Sequence, residues 1–472
     1  MARAEARGRH RLRGTAALSV CVAVAVLSTE AARGDGGRAP ADRLPNLAPF
    51  PNASGVAETF STHSAIDLAN PFFQDLGTNG RSCGSCHQPA DGWTITPPHL
   101  RQRFRTSQGL DPVFRPFDGA GCPTQDVSTP EARRRAYALL LGKGLIRIPL
   151  TPPADAEFTV VAVDNPYGCG GTDEVSVYRR PLPSTNLRFL STLMWDGRES
   201  RTNAKGHPRP LVKDLVKQAI NATAGHAQGV KPLTADQKER ITDFELALST
   251  AQTFDDKAGP LDAAGARGGP VALSRQKFFP GINDPLGGNP TGAAFTPEVF
   301  TLFGPWEVAG RGQNAARLAV ARGERVFASK PIRITGVAGL NDATGEPVIA
   351  GFCGTCHDAP NVGDHSLPAP LDLGLATAAR RTADLPLITL RDKATGATVQ
   401  TSDPGRALIT GKWADVGKFK GPILRGLAAR APYFHNGSAA TLLEVVDFYD
   451  RRFEIGFSER EKADLVAFLG TL

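Results

Sequence analysis

The sequence predicts a mainly α protein with long loops and little β, built around two covalent cofactor sites. Three observations lead there. The run Cys83-Gly84-Ser85-Cys86-His87 recurs as Cys353-Gly354-Thr355-Cys356-His357. Helix-capping signals with apolar faces of helical period fill much of the chain between and after them. Gly (50) and Pro (37) are abundant while 41% of residues are hydrophobic, which reads as ordered loops around proper cores. The 472 residues suffice for two or three such cores.

C-x-x-C-H is the attachment signature of c-type haem. Two thiols about one helical turn apart each add to a haem vinyl group, and the adjacent His lies under the iron as axial ligand. The assignment is two covalent haems, held by Cys83, Cys86 and His87 and by Cys353, Cys356 and His357. Zinc knuckles or redox dithiols are the alternative, with no further C-x-x-C pair to complete a zinc cluster.

The N-terminus reads as an export signal. Arg3, Arg7, Arg9, Arg11 and Arg13 precede an apolar stretch at 15–27 that is too short to span a bilayer, and small residues follow at Ala31 and Ala32. No other segment could cross a membrane, and the expected location is periplasmic. Cys21 leaves with the signal. Four of the remaining six cysteines go to haem, so Cys122 and Cys169 are expected to pair in an oxidising compartment; two free buried thiols are the alternative. Residues 1–31 hold five Arg against two Glu, so their loss takes the net charge from +7 to +4. About four haem propionates would bring it near zero. No basic run with interleaved aromatics remains to bind nucleic acid.

The remaining elements follow in order. Residues 32–45 read as a flexible linker, 46–254 as an N-terminal haem domain, 255–300 as a Gly/Pro-rich connection and 301–472 as a C-terminal haem domain. Thr129 caps a helix with Pro130 at its first position, running toward Gly142. The runs 158–163 and 175–178 are β-like. A helix is expected near 211–224. Thr234 with Gln237 opens another, which carries Ile241, Phe244 and Leu248 on one face. A helix near 314–327 leads to the second motif. Thr441 with Glu444 opens a helix whose Leu442, Val445, Val446 and Tyr449 share a face; Ser458 with Glu461 opens the last one, ended by Gly470.

These pieces resemble the bacterial dihaem cytochrome c peroxidase and MauG superfamily. The matching segments are Gly77-Thr78-Asn79-Gly80, Met194-Trp195-Asp196-Gly197-Arg198, Gln218-Ala219, Leu424-Arg425-Gly426, Ala431-Pro432-Tyr433-Phe434-His435-Asn436-Gly437-Ser438 and the run 441–446. The resemblance implies two cytochrome c-like domains, a peroxide-reactive first haem, an electron-relaying second haem, Trp195 between them and Arg425 as a cofactor contact. Its second iron is ligated by a Met some fourteen residues after the tail His. That place holds Tyr449 here, as in MauG, and the chain has only Met1 and Met194. Tyr449 is therefore the candidate distal ligand, with His435 and then His365 behind it; a packed core Tyr is the plain alternative. At the first haem Gln218 matches the family's Gln. Ten residues on stands Gln228 rather than Glu, which makes His226 the candidate proton-transfer group. Arg180 stands at the place of an Asn ligand of the family's interdomain calcium, which puts that ion in question.

The resulting expectation is an exported peroxidase that reduces hydrogen peroxide with electrons from a small cytochrome c or copper redox protein. Its rivals are a MauG-like oxidase of Trp or Tyr in a partner protein and a plain dihaem electron carrier.

Overall fold

A computed structural model describes residues 42–200, 211–308 and 314–472. The export segment, most of the expected linker and part of the insertion around 199–215 lie outside the described residues. Helix, at about 33%, outweighs strand, at about 17%. The strands form five small antiparallel sheets among the described residues. No helix there is long and apolar enough to cross a membrane.

The helix starts follow the capping chemistry. Thr129 Oγ1 accepts from the backbone N–H of Ala132, and the helix that it opens breaks at Tyr137 into Pro130–Ala136 and Ala138–Lys143. Thr234 and Gln237 close a full capping box at Ala235–Ala247. Ser458 and Glu461 do the same at Glu459–Leu469. Gly470 ends that helix as expected, with φ −68°. At Leu442–Phe453, Thr441 accepts from Glu444 N–H, while Glu444 reaches back one residue further, to the N–H of Ala440.

Leu248 departs from its expected helical face: it ends the helix and begins the strand Leu248–Asp255. That strand pairs with Gly55–Ser61 in a four-stranded sheet with no counterpart in the sequence reading. The buried face of Gly55–Ser61 carries Ala57, Thr59 and Ser61, so hydrophobic alternation does not reveal it. Hydroxyl pairing substitutes for apolar packing: Thr59 Oγ1 lies 2.8 Å from Thr250 Oγ1 and accepts from Trp93 Nε1 at 2.9 Å. The strand Phe158–Asp164 pairs with Leu387–Asp392, joining segments on either side of 255–300 in one sheet.

Two aromatic cores frame the motifs. Phe72, Trp93 and Phe244 pack beside the first. Phe300, Phe303, Phe327 and Phe468 pack beside the second. Each buried Phe contributes about 1.5–3 kcal/mol relative to exposure. The helices Ala315–Ser329 and Glu459–Leu469 approach closely at Gly323, where a Cβ would lie 2.0 Å from the Asp464 carbonyl oxygen. Arg322 clamps Asp464 through two 2.7 Å bonds beside that contact.

Candidate functional site

The two C-x-x-C-H motifs have the same local build. Each is a 3-10 turn, Cys83–Ser85 and Cys353–Thr355. In each, the third residue's hydroxyl accepts from the backbone N–H before the first Cys: Ser85 from Ser82 and Thr355 from Phe352, both at 3.0 Å. The N–H of His87 bonds the Cys83 carbonyl at 3.0 Å, and that of His357 the Cys353 carbonyl at 3.1 Å. Six residues past each His, a backbone carbonyl takes its Nδ1: Trp93 at 2.9 Å and Gly363 at 2.7 Å. That bond fixes the tautomer and leaves Nε2 free to ligate. Burial pushes His87 down to about 4, against the hydrogen bond to Trp93, with His226 adding to the fall. Trp93 presents its carbonyl through a left-handed backbone, φ 63°, and its ring is fully buried.

Each motif opens on a large cavity lined chiefly by aliphatic and aromatic side chains. The first is walled by Cys83, Cys86 and His87. The second is walled by Cys353, Cys356 and His357. Burial pushes the thiols of Cys83, Cys353 and Cys356 up to about 12. Among the described residues no three His, Cys, Asp or Glu side chains form a group that could hold a metal ion. Paired thiols, one free imidazole nitrogen and a wide apolar slot fit haem c.

In the first cavity His226 and Gln218 line the wall, and Gln228 does not. His226 Nδ1 is bonded at 2.7 Å to Asp118 Oδ2, a buried carboxylate that also pairs with Arg81 at 2.5 Å. Burial pushes Asp118 up, but Arg81 and His226 outweigh it and hold the carboxyl below its ordinary value. Gly77-Thr78-Asn79 fixes this loop. Asn79 Nδ2 donates to the His226 carbonyl at 2.8 Å, and a Cβ at Gly77 would lie 1.8 Å from the Ala227 carbonyl oxygen. The sequence pointed to His226 but not to Asp118, 108 residues away. Glu245 also lines this cavity; it is 5% exposed, and its Oε2 has no hydrogen-bond partner.

The second cavity collects Leu442, Val445, Val446 and Tyr449, the shared face of the helix Leu442–Phe453, together with His435. His435 is 1% exposed with neither ring nitrogen hydrogen-bonded, and its Nε2 lies 3.9 Å from Asp403 Oδ2. Burial pushes it down to about 4, with Asp403 opposing and Arg179 adding to the fall. His365 lines neither cavity, and Met194 lines the first. Arg425 lies off both large cavities, in a small one.

Trp195 lines both large cavities. Its Nε1 donates to the Arg180 carbonyl at 2.8 Å, and its ring meets His435 edge-on at 6.2 Å. The Arg180 guanidinium donates to the carbonyls of Lys143, Ile95 and Arg430. A calcium ion does not fit there, because the guanidinium already takes the carbonyl oxygens and carries like charge.

Paired thiol–imidazole turns on wide apolar cavities, in a largely helical frame, define a c-type haem protein. Known proteins narrow the class. The sequence family described as RoxA-like, cytochrome c-like, matches residues 418–454. The chain is 35% identical over 140 residues to cytochrome-c peroxidase IdrP1 of Pseudomonas sp. (strain SCT), covering 25% of this chain and 36% of that protein. It is 36% identical over 136 residues to cytochrome-c peroxidase IdrP2 of Denitromonas iodatirespirans, covering 26% and 36%. It is 42% identical over 76 residues to cytochrome c551 peroxidase of Nitrosomonas europaea, covering 16% and 23%. The chain thus spans about a third or less of the length of these relatives. A crystal structure of a MauG-like protein associated with microbial copper homeostasis aligns over 94% of this chain and 95% of that one, with TM-score 0.38 and 18% identity. Over these stretches the chain is similar to bacterial cytochrome-c peroxidases.

Proposed function

We propose that this protein is an exported peroxidase with one haem c at each C-x-x-C-H, reducing hydrogen peroxide with electrons from a small cytochrome c or copper protein. The observation that carries the reading is the Asp118–His226 pair on the wall of the first cavity. Haem c supplies the redox-active iron. With Nδ1 committed to Asp118, His226 has Nε2 to take a proton from one peroxide oxygen and return it to the other. Asp118 holds the ring's orientation and stabilises its charge while the proton is held. Gln218, on the helix Leu211–Gly225 that ends just before His226, supplies an amide to orient the substrate. Trp195 offers the route to the second cavity.

His226→Gln should lower peroxide turnover with reduced cytochrome c by about 10²–10⁴-fold. Asp118→Asn should slow it less and leave the haem spectrum unchanged. Wild-type rates in His226→Gln would remove its role. A protein that reacts with peroxide but does not turn over with any reduced cytochrome would favour the second reading, MauG-like oxidation of Trp or Tyr in a partner protein. Tyr449 opposite His357 is the observation that supports it.

A further inference from the structure

Arg180, Lys420 and Arg430 line the second cavity while only 5%, 7% and 9% exposed. Among the described residues, none of the three has a carboxylate oxygen within the 4.0 Å of an ion pair. Their guanidinium bonds go to backbone carbonyls: Arg180 to Lys143, Ile95 and Arg430, and Arg430 to Gly426, Ile423 and Arg425. Burial pushes both arginines down to about 10, and in Arg180 the charge of Arg430 adds to the fall. Asp364, whose charge acts on Lys420, is buried with neither oxygen hydrogen-bonded and makes no ion pair within 4.0 Å of it. Behind Lys420 the small cavity leads to Arg425, 2% exposed and unpartnered at Nε. That cavity shares Leu182 and Pro183 with both large ones.

A buried cation without a partner is unfavourable, and neighbouring like charges add repulsion. Such a cluster becomes favourable when an anion enters among its members. Guanidinium forks and an ammonium group match carboxylate oxygens. We propose that Arg180, Lys420 and Arg430, with Arg425 behind them, form a carboxylate-binding centre between the two cavities, filled by the propionates of the haem held at His357. The inference rests on the second motif's being a haem site and is independent of peroxide reduction.

The test is the midpoint potential of each haem in the intact holoprotein. A cation beside a propionate offsets charge that would otherwise favour ferric iron. Lys420→Met and Arg430→Met should each lower the potential of the second haem by at least tenfold in its reduction equilibrium, about 59 mV for one electron. Lys420→Arg should hold the wild-type value, and a chelator of divalent cations should not move it. Covalent haem mass confirms that each variant is loaded. Unchanged potentials in both methionine variants would overturn the centre. A wild-type potential that moves with added acetate would instead put a free carboxylate there and overturn the assignment to propionates.

Discussion

Tyr449 faces His357 across the second cavity, with ring centroids 6.5 Å apart and planes 77° apart. The helix Leu442–Phe453 delivers it from the wall opposite the thiols. Burial pushes its phenol up, and the neighbouring Cys356 and Cys353 add to the rise. A phenol so placed would ionise only beside a strong local cation, a charge that haem iron held at His357 would supply. Tyr449→Phe should therefore convert one low-spin haem to high-spin in the ferric optical and EPR spectra. An unchanged spectrum would transfer the ligand role to His435, which lines the same cavity with neither ring nitrogen hydrogen-bonded.

Glu245 sets a pH dependence of stability. Burial alone pushes its carboxyl from the ordinary 4.5 up to about 8. Between those values the folded chain holds a proton that the unfolded chain has released, so stability falls as pH rises through the window. The full loss, complete above about pH 8, is on the order of 5 kcal/mol. Glu245→Gln has no such proton to lose. Its thermal unfolding temperature should change less from about pH 5 to 8, and above about pH 7 it should exceed the wild type. Parallel profiles for the two proteins would show that Glu245 ionises freely.

Cys122 and Cys169 form a disulfide with Cα atoms 5.3 Å apart, closing 47 residues of chain. Closing a loop of that size is worth roughly 2–4 kcal/mol. Alkylation without reduction should label neither residue in the mature protein, and Cys122→Ser with Cys169→Ser should lower the unfolding temperature. Labelling of both in the unreduced protein would refute the bridge.

The motifs were legible because their chemistry is local. Attachment needs fixed spacing, and the capping pairs at Thr234 and Ser458 need only three residues. The face 442–449 was legible by period, and the structure turns it into a cavity wall. The partners of these residues were not legible. Asp118 reaches His226 across 108 positions, and the carbonyls that orient His87 and His357 carry no side-chain signature. The strand Gly55–Ser61 hid because its inward residues are Ala, Thr and Ser, whose burial is satisfied by hydroxyl pairing. Glu245 lay one residue past Phe244 on a face expected to be apolar, and an acid there signals function only once its burial is known.

Trp195 is the aromatic residue of the wall that both large cavities share, and it is held from several sides. Its indole N–H donates to the Arg180 carbonyl, and its own carbonyl accepts from the Lys420 N–H at 2.9 Å. The next residue, Asp196, is fully buried between Arg179 and Arg198, and Arg179 is also bonded to Asp403 through two contacts of 2.7 and 2.8 Å. Breaking such a buried network is costly, so the ring's aim is set by charges that cannot relax. A backbone carbonyl is a poor base, so an indole that gives up an electron here keeps its proton, and electron movement through it needs no proton acceptor. Trp195→Phe preserves most of the packing and removes only the oxidisable ring. Both haem spectra should survive, and peroxide should still react at the first site. Transfer of oxidising equivalents to the second haem, followed by rapid mixing, should slow by orders of magnitude, with steady turnover falling alongside. A variant that turns over at the wild-type rate would make Trp195 a wall residue shared by two cavities, with the electron route elsewhere.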